Sequence, residues 1–254
     1  MKIINNKTIL VSATNAILFV IFLVVFCVSF FPENIVPIYS AEKYYAVYNG
    51  NKEKPNVSFM FNVYENTKVV NEIINTLNEY NVKATFFVGG CWADDNAETL
   101  NRIKESNLEL ANHGYFHKDH KKLNYEQNLL EIQNTSKIIE GLSGVKTKLF
   151  APPSGSFSDL TLEASYNLEH TTIMWSKDTI DWRDHSEDLV YYRATKNLQN
   201  GDLILMHPKE HTLKALPKII KYCLENGFTP VTVSENIKGT TEKIWPFTKN
   251  IIMD

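Results

Sequence analysis

The sequence predicts an α/β fold built on a parallel sheet, and three observations carry that prediction. Short β-rich runs alternate with amphipathic helical segments about seven times between residues 57 and 233. Such alternation belongs to strand–helix–strand crossovers, which parallel strands require. The 214 residues after position 40 suit one domain, either an open sheet or a closed barrel. No glycine-rich loop of the G-x-G-x-x-G or Walker type follows any strand, so the nucleotide-binding versions of this architecture lose their support.

The first element precedes that domain. Residues 9–31 hold 19 apolar side chains out of 23, broken only by Ser12, Thr14, Asn15 and Ser29. As a helix this run is about 34 Å long, enough for a bilayer core of about 30 Å. Lys2 and Lys7 precede it, and Glu33, Glu42 and Lys43 follow it. The positive-inside bias then keeps residues 1–8 in the cytoplasm and exports the rest. A cleavable signal would usually have a shorter core and a small-x-small site. Here Pro37, Ile38 and Tyr39 precede Ser40-Ala41, so an uncleaved single-pass anchor is expected. Residues 32–56 are expected to form a stalk, its part at 41–56 polar and punctuated by Asn49-Gly50 and Lys54-Pro55.

The alternation then begins. A β-like run at 57–62 precedes a helical face of Val69, Val70, Ile73, Ile74 and Leu77. Residues 82–88 are β-rich and stop at Gly89-Gly90, and a helix is expected to start near Asp94-Asp95-Asn96. A strand at 108–112 leads to a long helix capped by Asn124 and ended by Gly141 and Gly144. Strands at 148–151, 171–176, 202–207 and 228–233 alternate with helices near 158–169, 187–199 and 212–226. The domain is set at 57–237, and residues 238–254 form a polar tail.

Charge narrows the partners. The chain has 26 basic and 29 acidic side chains, and residues 41–254 alone carry 24 and 28. That balance excludes an electrostatic nucleic-acid binder. Cys27 lies in the apolar run, while Cys91 and Cys223 lie outside it, where they are either paired or separate thiols.

In parallel β/α folds chemistry gathers after the strand C-termini. Those positions hold Asn62-Val63-Tyr64, Gly89-Gly90-Cys91, His113 and His117, Pro152-Pro153-Ser154-Gly155, Asp178 with Asp181-Trp182, and His207. On a helical turn the spacing of His113 and His117 would stack both imidazoles on one face, able to grip a divalent metal. Gly114 stands where a zincin carries its glutamate, which removes that class. His120 points elsewhere at this spacing and is expected in solvent. An aspartate near His207 would fix its tautomer and make it a general acid.

Together these fragments resemble the polysaccharide deacetylases of carbohydrate esterase family 4, the NodB-homology domain, over about residues 57–237. The matching segments are His113-Gly-Tyr-Phe-His117, Ala151-Pro-Pro-Ser-Gly155, Asp178-Thr-Ile-Asp181-Trp182 and Leu205-Met-His207, with the KATFFVGG and FTPVTVSENI framework around them. The resemblance implies a distorted (β/α) barrel and a hydrolase that removes N-acetyl groups from cell-wall or spore-cortex glycans, breaking a non-peptide C–N bond. It implies a divalent metal, zinc in most of the family, on His113 and His117, with His207 as acid and Asp178 as its tether. Trp182, Leu205, Ser154 and Asp181 would line the substrate. Two motifs depart. Asn62 stands in the base slot and Val63 in a metal-ligand slot, and Ala151 replaces an arginine. Glu65, Asp178 or a metal-bound hydroxide is then the candidate substitute base. The wording FNVYEN and FAPPSGSF resembles exported, sporulation-associated members. The alternative function is a degenerate deacetylase that binds glycan without turnover.

Overall fold

The computed structural model describes residues 6–30 and 44–240, with side chains in the first stretch over 12–26. Two compact units divide the chain, Met1–Lys43 and Tyr44–Asp254. The first contains α1 (Asn6–Phe30), on which residues 17–26 form an unbroken run of exposed apolar side chains. Among the described residues no helix is long and apolar enough to cross a membrane. The side chains described over 12–26 correspond to about 22 Å of helix, so the span expected at 9–31 extends past them.

In the second unit β1 (Ala46–Val47) and β2 (Asn56–Val63) lead to α2 (Thr67–Glu79), β3 (Thr85–Val88), α3 (Gly90–Asp95), α4 (Ala97–Glu105) and β4 (Glu109–Asn112). Then follow α5 (Tyr125–Ser143), β5 (Leu149–Phe150), α6 (Asp159–Asn167), β6 (Thr171–Ile173) and β7 (Lys177–Asp178). The unit ends with α7 (Glu187–Thr195), β8 (Leu203–Met206), α8 (Glu210–Glu225), β9 (Thr229–Pro230) and α9 (Val233–Asn236). The sheet order is β1-β6-β5-β4-β3-β2-β8-β7, with β9 also on β2, and every strand pair is parallel. Residues 174–176 carry the chain from β6, near one end of this path, to β7 at the other. Ser176 N–H donates to Leu203 O at 3.1 Å, and Asn49 bridges to Asp202. The sheet is therefore curled into a distorted, partly closed barrel.

Strand alternation explains both cores. Along β2, Val57, Phe59, Phe61 and Val63 enter the outer core with α2 and α8 side chains, while Met60 enters the inner core with Phe87, Ala111 and Ala151. The α2 stripe of Val69, Val70, Ile73, Ile74 and Leu77 is buried as its spacing predicts. Each such fully buried aliphatic side chain contributes about 1.5–3 kcal/mol.

Three boundaries differ from expectation. Residues 44–56, assigned to the stalk, belong to the folded unit: β1 pairs with β6, and Gly50 N–H donates to Gly201 O at 2.7 Å. β1 is only two residues long, too short a run for period-2 patterning to register. Residues 32–43 and 241–254 lie outside the described residues. The helix expected near Asp94 starts at Gly90 and breaks at Asn96. A Cβ on Gly89 would sit 2.2 Å from the Tyr64 ring and one on Gly90 2.3 Å from the Tyr115 ring, so close packing explains the glycine pair. Gly141 lies within α5, and Gly144, at φ 73°, ends it.

At the other end of α5, Asn124 and Gln127 form a reciprocal capping box. Replacing Asn124 with alanine is expected to lower stability by about 1 kcal/mol, measured as a shift of the urea midpoint at unchanged slope.

Candidate functional site

The C-terminal ends of β2, β4 and β8 and the loops after β5 and β7 frame the site. Asn62 ends the inward row of β2. It is 5% exposed, and its Oδ1 has no hydrogen-bond partner among the described residues. Val63, next along, is fully buried in the outer core. Ala151 packs inside the barrel.

His113 follows β4, its backbone N–H donating to Val88 O at 3.0 Å. Its Nδ1 lies 2.8 Å from Ala151 O. A carbonyl only accepts, so Nδ1 carries the proton and Nε2 keeps a bare lone pair. The His113 and His117 rings lie 5.3 Å apart, and Tyr64 packs 5.1 Å from His117. The structure brings the pair together as predicted, but not on a helix. Gly114 at φ 73° and His117 at φ 52° make a loop. That loop is cast by side chains that the motif reading missed. Asn112 Oδ1 accepts from Gly114 N–H at 2.9 Å, and Glu131 Oε2 accepts from Tyr115 and Phe116 N–H at 2.9 and 2.8 Å. Lys118 pairs with the other Glu131 oxygen at 2.8 Å. The available signal was a carboxylate on the buried stripe of α5.

His120 is fully buried rather than solvated, its Nδ1 2.7 Å from Asn128 Oδ1 and its ring 5.1 Å from Phe150. A helical turn at His120–Lys122 tucks it inward.

The tether of His207 is Asp181, not Asp178. Asp181 Oδ1 lies 2.7 Å from His207 Nδ1, and Oδ2 accepts from His207 N–H at 2.7 Å and from the Thr212 hydroxyl at 2.6 Å. His211 Nε2 reaches Asp181 O at 2.8 Å. Asp178 instead accepts from Ile180 N–H at 2.7 Å, closing the turn that carries Asp181 beneath His207. Trp182 is left exposed and Leu205 is buried. Ser154 lies exposed in the loop after β5, at φ 55°. Glu65 is paired with Lys209, which occupies one of the candidate substitute bases.

Electrostatics follow burial. Burial, then the neighbouring His117, pushes His113 down to about 3. Burial lowers His117, His120 and His170 as well. Burial raises Asp178. For Asp181 burial pushes upward, but the hydrogen bonds and charge of His207 outweigh it and hold the carboxyl below its usual range.

A catalytic zinc needs three protein ligands and an open position. Here two imidazoles remain, Val63 has no lone pair, and among the described residues no group of three His, Cys, Asp or Glu side chains is disposed to hold a metal ion. The donor set does not fit the family's ion.

Residues 49–173 match the model of the polysaccharide deacetylase family. The uncharacterized protein YlxY of Bacillus subtilis is 35% identical over 194 residues, 76% of this chain and 61% of YlxY. A peptidoglycan-N-acetylglucosamine deacetylase of Bacillus cereus is 29% identical, over 82% of this chain and 77% of that protein. The crystal structure of BA3943, a pseudoenzyme of carbohydrate esterase family 4 from Bacillus anthracis, superposes with a TM-score of 0.74 at 33% identity, covering 76% of this chain and 68% of that one. A BA3943 mutant has restored enzymatic activity. This chain belongs to the polysaccharide deacetylases, carbohydrate esterase family 4. Its relatives include peptidoglycan deacetylases and a pseudoenzyme.

The buried histidines set an acid limit on the fold. His113, His120 and His170 are neutral when folded, with values below the ordinary 6.5. Their contribution is therefore complete above about pH 6.5 and is lost as pH falls toward the folded values. His113 alone contributes a slope of up to about 1.4 kcal/mol per pH unit over part of that window. Urea unfolding between pH 7.5 and 5 is expected to show falling stability, with a shallower slope in His170→Gln.

Proposed function

We propose that this protein holds peptidoglycan of the cell wall or spore cortex outside the membrane as a deacetylase fold with a disabled hydrolytic centre. The observation that carries the reading is the joint replacement at the centre of the site. Asn62 supplies no carboxylate base, Val63 no ligand, and Ala151 no guanidinium. Loss of base catalysis typically costs ~10²–10⁴-fold, and loss of metal activation adds to it. The barrel, the histidine loop and the exposed Trp182 persist around that centre, which favours retained glycan contact. Arg183 lies 5.9 Å from the Trp182 ring.

The Asp181–His207 pair supports a second reading, slow N-deacetylation, because it keeps an oriented acid for a departing amine. Acetate release from N-acetylglucosamine oligomers and peptidoglycan separates the two. Wild type is expected to match His113→Ala. Release above that control would reject the disabled centre. Asn62→Asp with Val63→Asp and Ala151→Arg is expected to gain a stoichiometric divalent metal and at least ~100-fold more acetate release.

Placement outside the membrane rests on the apolar run at 9–31, Lys2 and Lys7 before it, and the exposed residues 17–26 of α1. Protease applied to intact cells is expected to remove an epitope placed at the C-terminus and to spare one placed at the N-terminus. The reverse pattern would overturn this orientation.

A further inference from the structure

Three buried side-chain atoms have no hydrogen-bond partner among the described residues: Asn62 Oδ1, His120 Nε2 and Asn236 Oδ1. His120 and Asn236 have no exposure at all, whereas Asn62 keeps 5%. Position explains the difference. Asn62 is the last inward residue of β2, since Val63 enters the outer core and ends the strand. Tyr64 then donates its hydroxyl to Tyr115 O at 3.2 Å. Asn62 therefore stands at the C-terminal mouth of the barrel, with no later residue of β2 on the inward row above it. A buried acceptor without a donor is uncommon and unfavourable. At this mouth the missing donor can come from outside the chain.

The surroundings of that acceptor are apolar. In register across the sheet, Asn62 lies beside Phe87, and Phe87 beside Ala111. One inward step earlier, Met60 lies beside Leu205. Met60, Phe87 and Ala111 share the inner core with Ala151. Positions 62, 63 and 151 carry no charge, and both oxygens of Asp181 are engaged by His207 and Thr212. An ammonium group would lose its hydration beside these neutral residues, at a cost that only a directed opposite charge offsets. A neutral acetamide loses less. Its N–H is a donor for Asn62 Oδ1, and its methyl suits the apolar floor.

Building on the glycan-binding reading, we infer that Asn62 is the specificity-determining residue of this barrel. Its Oδ1 accepts the N–H of an intact N-acetyl group, and the methyl of that group rests against the apolar floor. The slot in which the family carries a base then recognises the amide that such a base helps to break. No bond is made or broken, and the bound strand keeps its acetyl groups.

Calorimetry with the full-length chain in mild detergent tests this, at about 0.15 M salt to screen general attraction to an acidic domain and with chelator present throughout. The probes are an N-acetylglucosamine pentamer and a glucosamine pentamer at about pH 6.5, where a free amine is protonated. The acetylated pentamer is expected to bind at least ~10-fold more tightly. Asn62→Leu removes the acceptor at similar volume. It is expected to weaken the acetylated pentamer about tenfold and to leave the glucosamine pentamer within about twofold. Asn62→Ala, which adds no bulk, gives the same comparison if the leucine variant does not fold. Equal or reversed preference in wild type overturns the inference. Undiminished binding of the acetylated pentamer by the variants also overturns it, since Asn62 would then hold water only. Retention of purified peptidoglycan separates the two levels of failure. Peptidoglycan retained without the pentamer preference removes the role of Asn62 alone, whereas peptidoglycan and both pentamers left unbound remove the glycan-binding reading as well.

Discussion

The two-residue alternation along β2 is the constraint from which the site follows. β2 lies between β3 and β8 in parallel register, Phe61 opposite both Phe86 and Met206. That register fixes which side chains enter the barrel and which enter the helical layer. Asn62 falls on the inner row, one step beyond Phe61, where the chain after Met206 brings in His207. Val63 falls on the outer row and is absorbed by apolar neighbours. A side chain at 63 is therefore a metal ligand only if its burial is offset by the ion. A valine there makes the outer core ordinary and removes the reason for the ion.

The same reasoning makes the three departures one change. An arginine at 151 would stand inside the barrel, and without a carboxylate at 62 it would be a buried, unpaired charge, which costs several kcal/mol. A carboxylate at 62 without that arginine or a metal would be equally exposed to desolvation. Neutral Asn62 with small Ala151 and apolar Val63 is self-consistent, with one residual fault. Asn62 Oδ1 is buried without a partner among the described residues.

How much of this was legible depended on how far each signal extended along the chain. The β-like run at 57–62 and the five apolar positions of α2 were long enough to read, and the Asn124 cap announced α5. β1 and β7, at two residues each, have no period to read. The His113–His117 spacing correctly joined two rings, but spacing alone does not separate a helical turn from a loop held by Asn112 and Glu131. Asp178 and Asp181 stand three apart in one turn. Which of them reaches His207 depends on the positive φ of Ile180, 52°, a backbone choice that a β-branched residue does not advertise. His120 is expected in solvent because its spacing points it away from His113 and His117, yet its place is set by Asn128 on another element.

The Asp181–His207 pair also has a reason in the fold, independent of turnover. Asp181 is fully buried, and its two oxygens accept three hydrogen bonds, two from His207 and one from Thr212. Replacing the His207 side chain would leave a buried carboxylate short of its Nδ1 partner, with the backbone N–H of residue 207 and the Thr212 hydroxyl still donating, a cost of about 1–3 kcal/mol. The pair is thus fastened into the fold between β8 and α8, whatever chemistry it serves. Asn62, Val63 and Ala151 have no such role, since uncharged residues of similar packing serve the barrel as well. A site under relaxed catalytic demand would lose those three first and keep Asp181, His207 and the loop under Glu131. That is the pattern this chain carries, with the Asp181–His207 pair, the histidine loop and the exposed Trp182 still in place.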